Sequence, residues 1–222
     1  MIKNGQGGFD LASDKKRALA LTPVSRETEA LLEIFVEALL RGQEKANLVA
    51  ESTLPLIWTR HIADSLQLLP LAPDAKIWVD LGSGAGFPGM PIACALAHVP
   101  GTVVHLIESN GKKASFLRET VHKIGLPAQV HQERVEKFGE SCAENVQVVT
   151  ARALSPLKTL CDQVLPFIAR GALGLLPKGQ DVDAELTEAA KYWTIQAEKV
   201  PSVTNPAGSI VVVRGLSRLN KA

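Results

Sequence analysis

The stretch VDLGSGAGFPGMP, residues 79–91, places four glycines behind an aspartate at the end of an apolar run. The run itself, KIWV over residues 76–79, is typical of a short buried strand. Glycine permits backbone dihedrals and a close approach of the chain that a side chain would block. Gly84, Gly86 and Gly89 also satisfy the G-x-G-x-x-G spacing of turns that hold dinucleotides. The stretch therefore indicates a nucleotide-like cofactor at the end of a first strand.

Asp80, at the head of this turn, distinguishes between the cofactors that glycine-rich turns hold. A carboxylate at the mouth of the site would repel a pyrophosphate and attract a cofactor that carries an ammonium and a sulfonium group. S-adenosylmethionine is such a cofactor. The order of acid and glycines therefore favours a methyltransferase over an NAD-dependent oxidoreductase on the same fold, and over a purely structural turn.

Seven strand-like segments occur from Lys76 onward, with helical segments between the first five. Strands that alternate with crossover helices indicate a parallel sheet covered on both faces. The last two segments are joined by a short loop containing NPAGS, which favours an antiparallel hairpin. The fold class is therefore α/β, doubly wound and mostly parallel. The predicted strands are KIWVDL (76–81), TVVHLIE (102–108), AQVHQ (128–132), VQVVTAR (146–152), ALGLLPK (172–178), TIQAEKVP (194–201) and SIVVVRG (209–215), and helices are predicted in GKKASFLRETVHKIG (111–125) and PLKTLCDQVLPFIARG (156–171).

Helical patterns also precede the first strand. SRETEALLEIFVEALLRG (25–42) begins at a capping serine, has apolar residues at helical spacing and ends at a glycine. STLPLIWTRHIADSLQLL (52–69) predicts a second helix. The first 24 residues show little periodicity. The expected organisation is a loose arm with one helical turn over 1–24, a helical N-terminal extension over 25–72, and the cofactor-binding domain over 73–222.

Composition sets the class of protein. The chain has 222 residues, of which 46% are hydrophobic and 21% charged, and a net charge of +1, as in an ordinary globular protein. Cys94, Cys142 and Cys161 are odd in number and widely spaced, so neither a disulfide framework nor a metal site is expected. The sequence shows no secretory leader and no apolar run that could span a bilayer, so we expect a cytoplasmic monomer without a membrane partner.

Two further acids follow predicted strands. Glu108 ends the second strand about 20 residues beyond the glycines, where a nucleoside-binding fold places a carboxylate that accepts from the ribose. The alternative is a structural acid that faces the next helix dipole. Glu136, after the third strand, could accept from an adenine amino group, with the neighbouring backbone contacting the ring edge.

Six motifs together resemble the RsmG (GidB) family: RHIADSL (60–66), VDLGSGAGFPGMPIA (79–93), HLIESNGKKASFL (105–117), RVEKF (134–138), TARAL (150–154) and LLPKG (175–179). The resemblance covers residues 47–213, although RGQEKANLVA (41–50) lacks the tryptophan and the Asn-Leu-Thr ending of the family pattern. It implies a Rossmann-like class I methyltransferase sheet, S-adenosyl-L-methionine as cofactor, and methylation of N7 of the guanine conventionally numbered 527 in 16S ribosomal RNA. It also implies cofactor contacts at Gly82, Phe87, Val135–Glu136 and Arg152. The full predicted cofactor set is Asp80, Gly82, Gly84, Gly86, Phe87, Glu108, Val135, Glu136 and Arg152.

The chemistry of guanine N7 requires no strong base. N7 already carries a lone pair, so catalysis would come from alignment and desolvation rather than from proton abstraction. Arg152, after the fourth strand, is the candidate catalytic residue, and we assign it to positioning of cofactor or substrate, with a structural ion pair as the alternative. Arg60, His61 and Asp64 share a helix face and could form a polar network at the pocket or pin the helix to the domain. We do not expect His61 to shuttle a proton.

RNA contacts are expected from basic residues around the cofactor mouth. The candidates are Arg60, His61, Lys112, Lys113 and Lys178, with the clusters Lys15–Arg17 and Arg214, Arg218 and Lys221 as further sites. Solvated surface is the alternative for each. The expected partner is 16S ribosomal RNA or the small ribosomal subunit, with an unpaired loop base as target. A non-catalytic RNA-binding protein that keeps a cofactor turn is the remaining alternative function.

Overall fold

The computed structural model describes residues 10–219, so the first nine residues of the predicted arm and Lys221 lie outside the described residues. The strands are β1 (Ile77–Leu81), β2 (Val103–Ile107), β3 (Ala128–His131), β4 (Val148–Ala151), β5 (Leu173–Lys178), β6 (Trp193–Pro201) and β7 (Ser209–Arg218). They form one sheet in the order β3-β2-β1-β4-β5-β7-β6. Strands β1 to β5 are parallel, and β7 is antiparallel to both β5 and β6. The predicted fold class and hairpin are confirmed.

The strand order reverses beside β1, because β2 pairs with one edge of this strand and β4 with the other. The carboxyl ends of all five parallel strands lie at the same edge of the sheet. In open α/β sheets, ligands bind outside this edge at the point of reversal. The glycine turn follows β1 directly, so it lies where the fold binds a ligand.

Helices cover both faces of the sheet. Successive strand residues point to opposite faces, so Trp78 and Leu106 pack on one apolar cluster, and Val79 and Ile107 on the other. Helices α2, α4 and α5 contribute to the first cluster, and α6, α7 and α8 to the second. No helix in residues 10–219 is long and apolar enough to cross a membrane. The α-helices are α1 (Leu11–Leu21), α2 (Arg26–Gln43), α3 (Asp64–Leu66), α4 (Gly89–Ala95), α5 (Gly111–Ile124), α6 (Val135–Ser141), α7 (Leu157–Ile168) and α8 (Val182–Ala189).

The predicted second helix is an irregular helix over residues 51–66. It starts as a 3-10 helix (Glu51–Leu56), which contains Pro55, continues as a π-helix (Trp58–Ala63) and ends as α3. A π-helical turn is rare and is found frequently at functional sites. The irregular helix carries the RHIADSL motif, so its unusual geometry sets where these polar side chains point.

The arm predicted over residues 1–24 is wrong in its described part, since α1 is a helix of 11 residues. Asp10 caps it by accepting from the Ser13 N–H at 3.0 Å. The buried Asp14 anchors it, because its Oδ2 accepts from the backbone N–H groups of Trp58 and Thr59 at 2.9 and 3.2 Å. A polar anchor of this kind leaves no apolar periodicity in the sequence, which is why the helix was missed.

Replacing Asp14 with alanine is expected to destabilise the fold by about 3 kcal/mol, because two buried N–H groups of the irregular helix lose their acceptor. Asp10→Ala is the matched control: it removes the exposed cap of the same helix and should cost less. Chemical denaturation of both variants measures the difference. Equal losses would show that Asp14 acts only within α1.

Candidate active site

The turn after β1 is held by glycines in the left-handed region. Gly82, Gly84 and Gly86 have φ of +68°, +58° and +104°. A Cβ at Gly82 would lie 2.5 Å from Leu154 Cδ1, and one at Gly86 would collide with Met90. At Gly84 the nearest atom would be a backbone oxygen 3.8 Å away. The turn is therefore closed behind Gly82 and Gly86 and open over Gly84, which leaves room there for a cofactor.

Asp80 does not lie at the mouth of the turn, and that prediction is wrong. Its carboxylate is buried beneath the glycines, where Oδ2 accepts from the Gly89 N–H at 3.0 Å and Oδ1 from the Thr150 hydroxyl at 3.1 Å. Burial raises the pKa of Asp80 to about 6. The protonated form is thus favoured on folding, and this contribution to stability is lost as the pH rises through about 6. Asp80 ties the turn to the start of α4 rather than attracting a sulfonium.

Glu108, just beyond the end of β2, faces the open side of the turn. Its Oε2 accepts from the Gly84 N–H at 2.9 Å and its Oε1 from the Asn110 N–H at 2.7 Å. Each carboxylate oxygen has a second lone pair, so both can still accept from the hydroxyls of a ribose. The residues at the open side therefore fit an adenosine cofactor: a glycine without a side chain, next to a fixed acceptor pair.

Three other predicted cofactor residues are engaged mainly with neighbouring side chains of the protein. Val135 is buried at the start of α6, and the Glu136 carboxylate accepts from Gln163 Nε2 at 3.0 Å, which lowers its pKa. Phe87 is buried, with its ring centroid 5.3 Å from that of Phe35 and 4.8 Å from that of His61. Contacts of these residues with the cofactor stay a prediction.

Arg152 connects β4 to the irregular helix. Its Nη1 donates to the Arg60 carbonyl at 3.1 Å and to Asp64 Oδ2 at 3.2 Å, and its Nη2 donates to His61 Nδ1 at 2.7 Å. The guanidinium carbon lies 5.3 Å from the centre of the Phe87 ring. Four separate contacts fix the orientation of the guanidinium between the glycine turn and the RHIADSL motif.

Asp64 extends this network to the β6–β7 loop (202–208). Its Oδ1 accepts from the Thr204 hydroxyl at 2.6 Å and from Gln67 Nε2 at 2.8 Å. The side-chain oxygen Oε1 of Gln67 accepts in turn from the Val203 N–H at 2.9 Å. One carboxylate thus joins three parts of the chain. Of the predicted network, His61 and Asp64 take part through their side chains, whereas Arg60 contributes only its backbone carbonyl; the network both pins the helix and lines the pocket.

His61 is held neutral. Because a guanidinium can only donate, Nδ1 accepts from Arg152, and the ring carries its proton on Nε2, which lies 2.9 Å from the Thr53 hydroxyl. Burial, with the charges of Arg152 and Arg60, lowers the pKa of His61 to about 3. Both ring nitrogens are occupied and the ring stays neutral at physiological pH, so His61 is not placed to abstract a proton.

A cleft of about 840 Å³ lies over the carboxyl ends of β4 and β5. Arg60, His61, Asp64, Arg152 and Lys178 all line it. The cleft is adjacent to the turn, because Leu154 both lines it and lies against Gly82. It is large enough for a base with its sugar, and its polar side chains are mostly paired with one another.

Lys178 lies in the wall of the cleft rather than exposed around the cofactor mouth, and its contact with RNA stays a prediction. Its ammonium is buried in the wall of the cleft, 2.8 Å from Glu185 Oε2 and 3.0 Å from the Ser155 carbonyl. Glu185 also accepts from the Leu157 N–H at 2.6 Å. Sequence reasoning missed Glu185 and Thr204, which come from segments without a motif, and Ser155, which follows TARAL directly but contacts Lys178 only through its backbone carbonyl.

The remaining basic candidates lie elsewhere. Lys112 and Lys113, at the start of α5, line a separate hollow rather than the cleft. The terminal clusters are largely neutralised by acids: Lys15 pairs with Glu29 and Glu33, Arg17 with Asp14, Arg214 with Glu198, and Arg218 with Asp162.

Two solved structures of similar size share the overall fold. An O-methyltransferase from Bacillus cereus, solved with SAH, superposes with a TM-score of 0.60 over 90% of this chain and 96% of that one, at 14% identity. A putative O-methyltransferase from Klebsiella pneumoniae gives 0.56 over 92% and 96%, also at 14% identity. The fold is that of the S-adenosylmethionine-dependent class I methyltransferases.

The family model for rRNA small subunit methyltransferase G (GidB) matches residues 28–220, and the chain belongs to this family. A relative of that name from Bradyrhizobium sp. BTAi1 is 56% identical over 210 residues, which are 95% of each chain. One from Nitrobacter hamburgensis is 52% identical over 210 residues, 95% of this chain and 81% of that one. Membership confirms the predicted methyltransferase and its cofactor, S-adenosylmethionine, and sets aside the NAD-dependent alternative.

Proposed function

We propose that the protein methylates N7 of the guanine conventionally numbered 527 in 16S ribosomal RNA, by direct transfer without a general base. One observation carries the proposal: the partly buried His61, Asp64 and Glu185 that line the cleft are each engaged by a neighbouring side chain, and the remaining acid of the lining, Asp181, is exposed to solvent. His61 is neutral with both nitrogens occupied, Asp64 is paired with Arg152, and Glu185 with Lys178. An exocyclic amine or a sugar hydroxyl would need a proton acceptor in the site, whereas N7 needs none.

S-adenosylmethionine, when bound, supplies a methyl group on a sulfonium, and its transfer to a lone pair moves one positive charge to the acceptor and no proton. We propose that the open face of Gly84 and the Glu108 carboxylate hold its adenosine part, with Gly82, Gly86, Phe87, Val135, Glu136 and Arg152 completing the site. Asp80 supports this site from beneath. Water exclusion and alignment supply most of the acceleration.

The two cations of the cleft, Arg152 and Lys178, have different roles in the proposed reaction. As N7 is alkylated the ring becomes cationic, so an arginine directed at N7 would oppose the reaction. The carboxylate of Asp64 offsets the positive charge of Arg152. Arg152 therefore positions the base and does not polarise it. Lys178 uses two of its three N–H bonds within the wall, and we assign the third to guanine O6 or a phosphate.

The decisive experiment is to incubate the protein with labelled S-adenosylmethionine and small-subunit RNA or subunits that lack the modification. Chemical cleavage specific for N7-methylguanine then maps the product. We expect a single modified guanine, at position 527. Label on an exocyclic amine or on a ribose would contradict the proposed reaction.

We propose further that the protein works as a monomer, because the glycine turn and the cleft come from one chain, and that it works in the cytoplasm, where its RNA substrate is.

The methyl-transfer step is expected to be independent of pH between about 7 and 9. A pKa of about 3 keeps His61 neutral throughout this range, and the neutral ring stabilises the fold above pH 6.5, a contribution lost as the pH falls from 6.5 towards 3. His61→Gln should lose little single-turnover rate, because glutamine can accept from Arg152 and donate to Thr53. His61→Leu, which removes the acceptor, should be slower.

Single-turnover rates at saturating RNA and cofactor test this. A rate that rises through a single ionisation between pH 7 and 9 and becomes flat in His61→Gln would establish a general base. Burial raises the pKa of Asp80 to about 6, so its titration lies below this range, and its effect on cofactor affinity is measured separately by calorimetry.

A further inference from the structure

A groove of about 600 Å³ lies between the end of α2 and the outer face of α5, separate from the cleft. Its floor is apolar and contains the buried Leu48 and the partly buried Phe116. Gly42 lets the end of α2 pack closely on this floor, because a Cβ there would lie 2.8 Å from Leu48 and 3.1 Å from the Phe116 ring. An aromatic ring at the floor of a groove is a surface on which an unpaired base can stack.

The rim of this groove is basic. Four cations, Arg41, Lys45, Lys112 and Lys123, surround a single acid, Glu119. Arg41 pairs with Glu37 at 3.1 Å, but within residues 10–219 the three lysines form no ion pair. Three unpaired lysines on both sides of one groove give it an excess of positive charge, which indicates an anionic ligand.

The groove continues towards the active site. A neighbouring hollow of about 330 Å³ shares Lys45 and Lys112 with it and adds Lys113 and Asn110. The Asn110 N–H donates to Glu108 at 2.7 Å, so the hollow reaches the proposed ribose carboxylate. Lys45 lines the groove and Thr53 lines the cleft. The chain between them can span at most about 29 Å, so the two sites lie within that distance. A strand of a few nucleotides could therefore extend from the cleft to the groove.

We propose that this α2–α5 groove, formed by Arg41, Gly42, Lys45, Lys112, Phe116 and Lys123, binds single-stranded RNA next to the target guanine. The inference rests on the proposed function, since the RNA is the substrate of the same site. A base presented from a loop brings its neighbours with it, and these carry unstacked bases and phosphates. Phe116 stacks a base, while Lys45, Lys112 and Lys123 neutralise phosphates on the two walls.

The test measures RNA affinity of Lys45→Gln/Lys123→Gln at several salt concentrations, with deproteinised small-subunit RNA and with small subunits as separate probes. Neutralising two phosphate contacts on a single strand should lower the slope of log affinity against log salt by about 1.4. At 0.15 M salt the dissociation constant should rise about tenfold. S-adenosylmethionine affinity, measured by calorimetry, should stay at the wild-type value.

Lys191→Gln/Lys199→Gln is the matched control. It removes the same charge from two exposed lysines near β6 that pair with Glu188 and Asp183. This double variant should retain the wild-type salt slope. If both double variants weaken binding equally, the effect is one of net charge and the groove is not an RNA site.

The identity of the occupant is tested by replacing Phe116 with the photoreactive p-benzoylphenylalanine and irradiating the complex with small subunits. A crosslink to RNA near the methylated base supports the proposal, and a crosslink to a ribosomal protein overturns it. An unchanged slope in Lys45→Gln/Lys123→Gln overturns it as well, even where the wild type methylates guanine N7. Conversely, a reduced slope with label on another base leaves the groove in place and contradicts the proposed reaction.

Discussion

Gly84→Ala will fold and will bind S-adenosylmethionine about a hundredfold more weakly than the wild type. Gly84 has φ of +58°, which alanine adopts at a cost of about 1–2 kcal/mol. The added methyl group meets no protein atom within 3.4 Å and enters the open side of the turn, where the cofactor is proposed to lie. Overpacking of this kind costs up to about 3 kcal/mol, which is a factor of about a hundred in affinity.

Gly82→Val should lose binding by a different route. Its φ of +68° is unfavourable for a β-branched residue, and its Cβ would lie 2.5 Å from Leu154. The turn itself is therefore displaced, and stability falls together with affinity. The comparison of the two variants separates a blocked site from a distorted one.

Gly125→Ala is the control for backbone strain alone. Gly125 ends α5 with φ of +76°, and nothing lies within 4 Å of an added Cβ. This variant should lose stability and keep full cofactor affinity in calorimetry. Unchanged affinity in a folded Gly84→Ala protein would mean that the cofactor does not lie over the turn.

The fold was predictable because local signals agree with the tertiary structure. Each of the five parallel strands is a short apolar or β-branched run, and β6 and β7 are too close in sequence for a crossover. Ser25 caps α2 by accepting from the Thr28 N–H at 3.2 Å, as its position indicates. By contrast, α1 is held by Asp14, whose contacts with Trp58 and Thr59 join segments 44 and 45 residues apart, which no local pattern reveals.

The candidate site was predictable in its residues but not in their environment. Asp80 and Lys178 are both conspicuous in the sequence, yet the first is buried beneath the turn and the second in the wall of the cleft. Burial depends on what packs over a residue, here α4 for Asp80 and Glu185 of α8 for Lys178. The position predicted for Asp80 was therefore wrong, although the cofactor class inferred from it was right. The prediction depended on the resemblance of the motifs to the family.

The largest effect on chemistry is expected from Arg152→Ala, which should lower the single-turnover rate about a hundredfold and change RNA affinity by less than about threefold. Arg152 is fixed by Asp64, His61 and the Arg60 carbonyl, and a misplacement of about 1 Å at a reacting centre costs a factor of this size. Asp64→Asn should give about a tenfold loss, because it keeps one acceptor but removes the opposite charge.

Asp64 acts on the reaction through Arg152, and a double-mutant cycle distinguishes this from an independent effect on the fold. If the two residues form one unit, Arg152→Ala/Asp64→Asn will be no slower than Arg152→Ala alone, since losses within a unit do not add. Thr204→Val is the matched control, because it removes a hydrogen bond to the same carboxylate without changing its charge or its contact with Arg152. Its rate should stay close to that of the wild type. Rate losses that multiply in the double variant would show that Asp64 contributes independently, and an equal loss of RNA affinity and rate in Arg152→Ala would make Arg152 an RNA-binding residue rather than a positioning one.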